Sequence, residues 1–259
     1  MNASLRTVVF CLLLITTSAW GLPYGNQEIW RLENAAHQGD VSALLRLGEI
    51  HRDGLGVPAN TVRAVRWFQK AAHLDSPEAH IALALLYMKG QGVARDVERS
   101  VEHWISASNL GSSRAQLFLG CLYFLGKDVP EDKVHALYWF RHAAEQGETA
   151  AQLYLAHMFF RGDGITRDVE NALHWWYQAA WNGSVSAMIS LSYLLRRGEE
   201  IERNFPEAHA WAKLAQQRCP SRDPRRRLGR TGRHLSRRMS SDGRAQAKAL
   251  YQEISATIP

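Results

Sequence analysis

The sequence predicts an all-α chain: a right-handed α-solenoid of five 36-residue antiparallel helix pairs with capping helices at both ends. Three sets of columns predict it. Glycine recurs with a step of 36 at Gly54, Gly90, Gly126, Gly162 and Gly198. Alanine keeps that step at Ala43, Ala79, Ala115, Ala151 and Ala187, and again at Ala71, Ala107, Ala143, Ala179 and Ala215. Leucine follows at Leu47, Leu83, Leu119, Leu155 and Leu191. Self-similarity at a fixed period of this length marks stacked helical units, none of which can bury its apolar face alone. A composition of 46% hydrophobic and 22% charged residues over 259 positions excludes wholesale disorder, a collagen-like fibre and a multi-span membrane protein.

The elements follow in order. Residues 1–21 read as an export signal: Arg6, an apolar run through Val8 to Ile15, then small residues, with cleavage expected after Ala19 or Gly21. The run is shorter than the ~20 residues a spanning helix needs. A periplasmic or secreted protein is therefore expected, losing Cys11 with the signal and keeping Cys121 and Cys219 as unbridged thiols in different columns. Residues 22–40, with Leu32, Ala35, Ala36 and Gly39 in register, predict an N-terminal capping helix. Five units then occupy 41–76, 77–112, 113–148, 149–184 and 185–220 without an insertion.

Within a unit, Ala43, Leu47 and Ile50 have the i, i+4, i+7 spacing of one helix face. The glycine column ends this first helix, because glycine accepts the positive φ of a sharp reversal. Asn60, Asp96, Asp132, Asp168 and Asn204 stand where side chains would cap the second helix. That helix carries an aromatic column, Trp67, His103, Trp139, Trp175 and Trp211, expected to fill the gap between neighbouring units. Small residues at Gly48, Ala84, Gly120, Ala156 and Ser192 let helix axes approach. After Cys219-Pro220 the pattern stops, and residues 221–259 predict basic C-terminal capping helices, with a closing amphipathic helix over Ser236–Ile254.

These columns resemble the Sel1-like repeat, a relative of the tetratricopeptide repeat. The second unit matches it through Ala79, Leu83, Tyr87, Gly90, Gly92, Val93 and Asp96, and the fourth through Ala151, Leu155, Phe159, Gly162, Gly164, Asp168, Ala172, Trp175, Ala179, Ala180 and Gly183. Asp128 and Glu200 replace the second turn glycine in the third and fifth units, and His51 replaces tyrosine in the first, which predicts altered loops on the same fold. The resemblance implies a concave face that binds a protein or peptide, in an adaptor of an exported assembly, envelope signalling, host interaction or quality control. It implies no cofactor.

No S-x-x-K, H-E-x-x-H, G-x-S-x-G, C-x-x-C or G-x-x-x-x-G-K occurs, so the motifs of nucleophilic, zinc and phosphate chemistry are missing. A β-lactamase-like or cell-wall hydrolase is the alternative from another class, and a structural envelope component is a third. The eleven histidines, His135, His142, His174 and His209 among them, read as packing or exposed residues rather than metal ligands. Arg161-Gly162-Asp163 and the sequon Asn182-Gly183-Ser184 fall in turns that the repeat itself dictates.

Two candidate surfaces remain. Positions 46, 49 and 53 and their equivalents form an i, i+3, i+7 stripe on the first helices whose identity changes from unit to unit. Its apolar and aromatic centre gives Phe118, Cys121, Tyr154, His157, Arg161 and Tyr193 as candidate partner-binding residues. Residues 218–259 hold eleven Lys or Arg against three Asp or Glu, so the net charge of +6 belongs to this tail. Arg225, Arg226, Arg227, Arg230, Arg233, Arg237 and Arg238 are its candidate contacts for an acidic partner, an acidic envelope polymer or an anionic membrane surface. Nucleic acid is not expected, since no aromatic stacking platform accompanies the arginines.

Overall fold

The structure is a computed structural model and describes residues 26–258, so the expected export signal lies outside the described residues. The described residues form thirteen α-helices and no strand. Helix α1 (Asn26–His37) precedes five pairs: α2 (Val41–Asp53) with α3 (Thr61–Ala72), α4 (Pro77–Lys89) with α5 (Val97–Asn109), α6 (Ser113–Leu125) with α7 (Lys133–Glu145), α8 (Thr149–Arg161) with α9 (Val169–Trp181), and α10 (Val185–Arg197) with α11 (Phe205–Arg218). Helices α12 (Arg222–Arg238) and α13 (Ser241–Thr257) both pack on α11. The closing segment thus differs from the single helix expected over Ser236–Ile254. Met239 and Ser240 turn extended, and Ser240 caps α13 by accepting from the Gly243 N–H at 3.1 Å.

The chain divides into two compact units, one ending at Ala115 and one beginning at Gln116. In the first, Leu44, Leu47, Ile50, Phe68 and Leu83 are buried. In the second, Phe140, Leu155, Met158, Leu191 and Trp211 form one cluster that takes in Leu235 of α12 and Ile254 of α13. Apolar burial of this kind is the main favourable term in folding.

The helix boundaries obey local chemistry. Asp96, Asp132 and Asp168, with Asn60 and Asn204, accept hydrogen bonds from backbone N–H groups in the first turn of the following helix. Each first helix ends on a glycine of the 36-residue column in the left-handed region, with φ between 61° and 76°. The second turn glycine has a different reason. A Cβ on Gly92 would lie 2.5 Å from the backbone of Thr61, and one on Gly164 would lie 2.5 Å from the Lys133 Cβ, so the turn runs hard against the start of the preceding second helix. Asp128 and Glu200, which replace it, avoid positive φ. Glu200 instead pairs with Arg167 at 2.5 Å.

The aromatic column corrects one expectation. The deeply buried rings are Phe68, Trp104, Phe140 and Trp176, each at most 2% exposed, whereas Trp67, Trp139 and Trp175 are half-buried and only Trp211 of the expected column is buried. The reason is angular: the inward face takes in the Ala64 and Ala71 columns and the next position, buried as Ser108, Ala144 and Ala180, and at ~100° per residue position 68 lies about 20° from the middle of that face while position 67 lies about 80° to one side. The small-residue column serves these rings. A Cβ on Gly48 would lie 2.4 Å from the Phe68 ring, and one on Gly120 would lie 2.5 Å from Phe140.

Candidate partner-binding face

The variable stripe of the first helices is open to solvent along its length; none of its fifteen positions is buried. In the first unit it is largely self-satisfied: Arg46 pairs with Glu49 at 2.7 Å, and Arg52 beside the stripe holds Asp53 at 2.8 Å. A cavity of about 290 Å³ lies there between Leu45, Glu49, Phe68, Ile81, Leu85 and Arg114.

In the second unit the stripe splits into two parts. Tyr154 stacks on Phe140 at 4.5 Å between centroids with the rings 4° from parallel, and meets Phe124 edge-on at 5.7 Å. Burial raises the pKa of its hydroxyl and of the Cys121 thiol, and each group adds to the electrostatics of the other. Tyr154 and Cys121 therefore belong in large part to the core, and the thiol is kept protonated rather than activated. Phe118 is half-buried on the same helix face as Cys121.

His157, Arg161 and Tyr193 come together. With Phe160, Trp176 and Ile189 they line a cavity of about 300 Å³ between α8, α9 and α10. His157 meets Trp176 edge-on at 5.5 Å, and Phe160 lies 5.3 Å from the same indole. The His157 ring stays partly open, yet desolvation against Trp176 lowers its pKa and the Arg161 charge lowers it further. Arg161 has no carboxylate partner among the described residues. Tyr193 is 45% exposed and Ile189 37%, large apolar surface for groups at a cavity mouth. The guanidiniums of Arg196 and Arg197 flank the Tyr193 ring at 5.6 and 5.2 Å. Arg197 also donates to the Tyr193 hydroxyl and, at 2.6 Å, to Glu199. Trp176 is 2% exposed and its Nε1 is buried with no hydrogen-bond partner. An unpaired buried donor costs about 1–3 kcal/mol.

The arginine tail also divides. Leu228, Gly229 and Leu235 form the buried side of α12, and a Cβ on Gly229 would lie 2.8 Å from Gln216. Arg225 is tied down, donating from Nε to the Cys219 carbonyl at 2.9 Å, and Arg238 lies over Phe205 at 5.8 Å. Arg226, Arg230, Arg233 and Arg237, with Arg222, fall within about 80° of arc on a helix. They are exposed, as is Arg227 beside them, and among the described residues no carboxylate pairs with any of them.

The Sel1 repeat pattern matches five times, at residues 41–76, 77–112, 113–148, 149–184 and 185–215. The chain belongs to the Sel1 repeat family. Among solved structures it is similar to c5321, a protective antigen of uropathogenic Escherichia coli displaying an SLR fold, with a TM-score of 0.68, 29% identity, and 90% of this chain and 49% of that chain covered. The chain thus spans about half the length of that antigen. It is also similar to a Sel1 repeat protein from Oxalobacter formigenes, with a TM-score of 0.57, 30% identity, and 75% of this chain and 78% of that chain covered. No curated protein matches it in sequence.

Sel1 repeat proteins mediate protein–protein interaction, and the repeat is typically a scaffold without catalysis. Within this Sel1 array, four cavity residues lie off the stripe, Leu194 of the core column that begins at Ile50 among them. Phe160 stands in a column that also varies (Arg52, Met88, Phe124, Phe160, Arg196), which is the signal that could have found it. Ile189 belongs to an apolar column at Leu45, Ile81, Leu117 and Leu153 that looks like core. Trp176 comes from a second helix, and nothing in the spacing of the Sel1 stripe points to it. Among the described residues no three His, Cys, Asp or Glu are grouped to hold a metal ion, and Cys121 and Cys219 are free.

Proposed function

We propose that this Sel1 repeat chain is an exported adaptor that holds a protein partner on the variable face of its first helices, in or regulating a cell-envelope complex. The observation that carries the reading is the cavity at the fourth and fifth repeats, where His157, Arg161 and Tyr193 of the stripe meet exposed Ile189. A surface that leaves large apolar and aromatic groups open beside free charge has the makeup of a binding patch. Export rests on the charged, apolar and small-residue order of residues 1–21. The test is a photo-crosslinking amino acid at position 193, with position 138 on a second helix as control, in the native cells. A partner captured from 193, and lost with Ile189→Asp, supports the reading; equal capture from both positions removes it.

A second reading has its own observation, the unpaired arginine ridge of α12. Its apolar side is already packed on α11, so the ridge would lie on an anionic lipid surface without inserting, at about 1 kcal/mol per arginine. Deleting the tail is a poor test, because Leu235, Ile254 and Ile258 are core. Replacing Arg226, Arg230, Arg233 and Arg237 by Gln should abolish co-sedimentation with phosphatidylglycerol vesicles. Unchanged sedimentation would retire the idea.

A further inference from the structure

The 300 Å³ cavity of the second unit carries a more specific assignment, one that rests on the partner-binding reading above. We infer that it takes an acidic segment of the partner, which inserts one large aliphatic side chain among Phe160, Ile189 and Tyr193, sets a neighbouring carboxylate against Arg161, and offers an oxygen to the Trp176 indole N–H.

The indole is the first ground. Position 176 belongs to the column Phe68, Trp104, Phe140 and Trp176, so phenylalanine fills the same place in two repeats and packing alone does not call for a nitrogen. At 176 the nitrogen is buried without a hydrogen-bond partner in a residue that lines a cavity, the arrangement of a donor whose acceptor arrives with a ligand. The cavity size is the second ground: about 300 Å³ is the lower end of the range for ligand pockets and suits one inserted side chain with its flanking backbone. Charge is the third. Arg161 faces solvent with no carboxylate, since Asp163, the acid nearest it in sequence, is taken by Lys133 at 3.1 Å; Arg196 has a buried Nε without a partner, and Glu199 beside it already receives Arg197. An acidic segment complements this rim and a basic one is repelled by it.

The test is an NMR titration of the ¹⁵N-labelled chain with three probes: acetyl-Gly-Glu-Leu-Glu-Gly-amide, the same peptide with Ala for Leu, and the same peptide with Lys for both Glu. Trp176→Phe, which installs the residue that two other repeats carry, identifies the Trp176 indole signal by its loss. The Glu-Leu-Glu peptide should move that signal saturably, and the Ala and Lys peptides should bind about tenfold more weakly. Arg161→Gln should weaken the Glu-Leu-Glu peptide about fivefold and leave the Lys peptide no weaker. An unmoved indole signal overturns the inference, and so does equal binding of the Glu and Lys peptides. Either failure leaves the partner-binding reading standing if position 193 still captures a partner; that reading falls only with the crosslinking result.

Discussion

Trp139 and Phe140 are neighbours with different work. Phe140 is fully buried, stacked on Tyr154 and seated over Gly120, whereas Trp139 is half-buried and touches Tyr138 and His142 near the surface. Phe140→Ala should cost about 3–5 kcal/mol, the range for emptying a buried aromatic site. Trp139→Ala should cost about a third of that, since less area leaves water. Urea midpoints decide it, and equal losses would show that the two columns share the core. A second residue-scale prediction concerns pH. His80 and His103 face each other with 3.0 Å between Nδ1 atoms, so one proton is shared and two cannot be held. Burial, then His80, then Arg99 lower the His103 pKa to about 4, while burial foremost lowers that of His80 against the pull of Asp75. The unfolded imidazole titrates near 6.5, so the unfolded chain binds more protons between about 4 and 6.5. The contribution of His103 is therefore complete above about 6.5 and lost as pH falls towards about 4, worth about 1–2 kcal/mol after allowing for a half-open ring. His103→Gln should flatten part of that decline in unfolding free energy. An unchanged slope would clear the pair of this role.

At the scale of an element, two turn glycines separate strain from collision. Gly147 has φ 86° with nothing within 4 Å of where a Cβ would sit, while Gly164 has φ 73° and a Cβ there would meet Lys133 at 2.5 Å. Gly147→Ala should cost about 1–2 kcal/mol of left-handed strain alone. Gly164→Ala should cost about 1–3 kcal/mol more, because Lys133 begins α7 and cannot move without its helix. Matching midpoints for the two variants would mean the turn relaxes freely. The same glycines show what was legible in the sequence. A residue that must solve one local problem repeats at every copy, as Gly162 does in ending a helix and as Asp168, in turn aspartate or asparagine, does in capping the next, and so helix ends and pairing could be read directly. Depth within a helix face was harder, since Trp67 and Phe68 are both aromatic and equally far from the line of Ala64 and Ala71, and only the further buried column of Ser108, Ala144 and Ala180 tells them apart. The cavity was harder still. It needs Phe160 and Arg161 of α8, Trp176 of α9 and Ile189 of α10 at once, and spacing along one helix does not report which second-helix ring closes the floor between two first helices.

For the whole molecule, stability should be unevenly spread, because helix pairs stack their cores with neighbours and the clusters differ in extent. In the unit from Gln116 on, one cluster runs from Ala136 through Leu155, Met188 and Trp211 to Leu235, Ile254 and Ile258, so both closing helices add to it. The unit ending at Ala115 has two smaller clusters, one around Leu44 and Leu47 and one around Phe68 and Leu83. Opening a helix therefore exposes less apolar area in the first unit, and the free energy of local opening follows the area exposed. Native-state hydrogen exchange should find the slowest amides in α8, α10 and α11, at Leu155, Leu191 and Trp211, with α1 and α2 exchanging faster. The closing helices supply the sharper version of the test. Leu235→Ala empties a fully buried site and should speed exchange in α11, on which α12 lies, by the factor that about 2–5 kcal/mol implies. Arg226→Ala, on the exposed side of the same helix, should shift stability by no more than about 0.5 kcal/mol. Slowest exchange in α2 or α4, or an α11 indifferent to Leu235, would mean that the tail is an appendage rather than the end wall of the core.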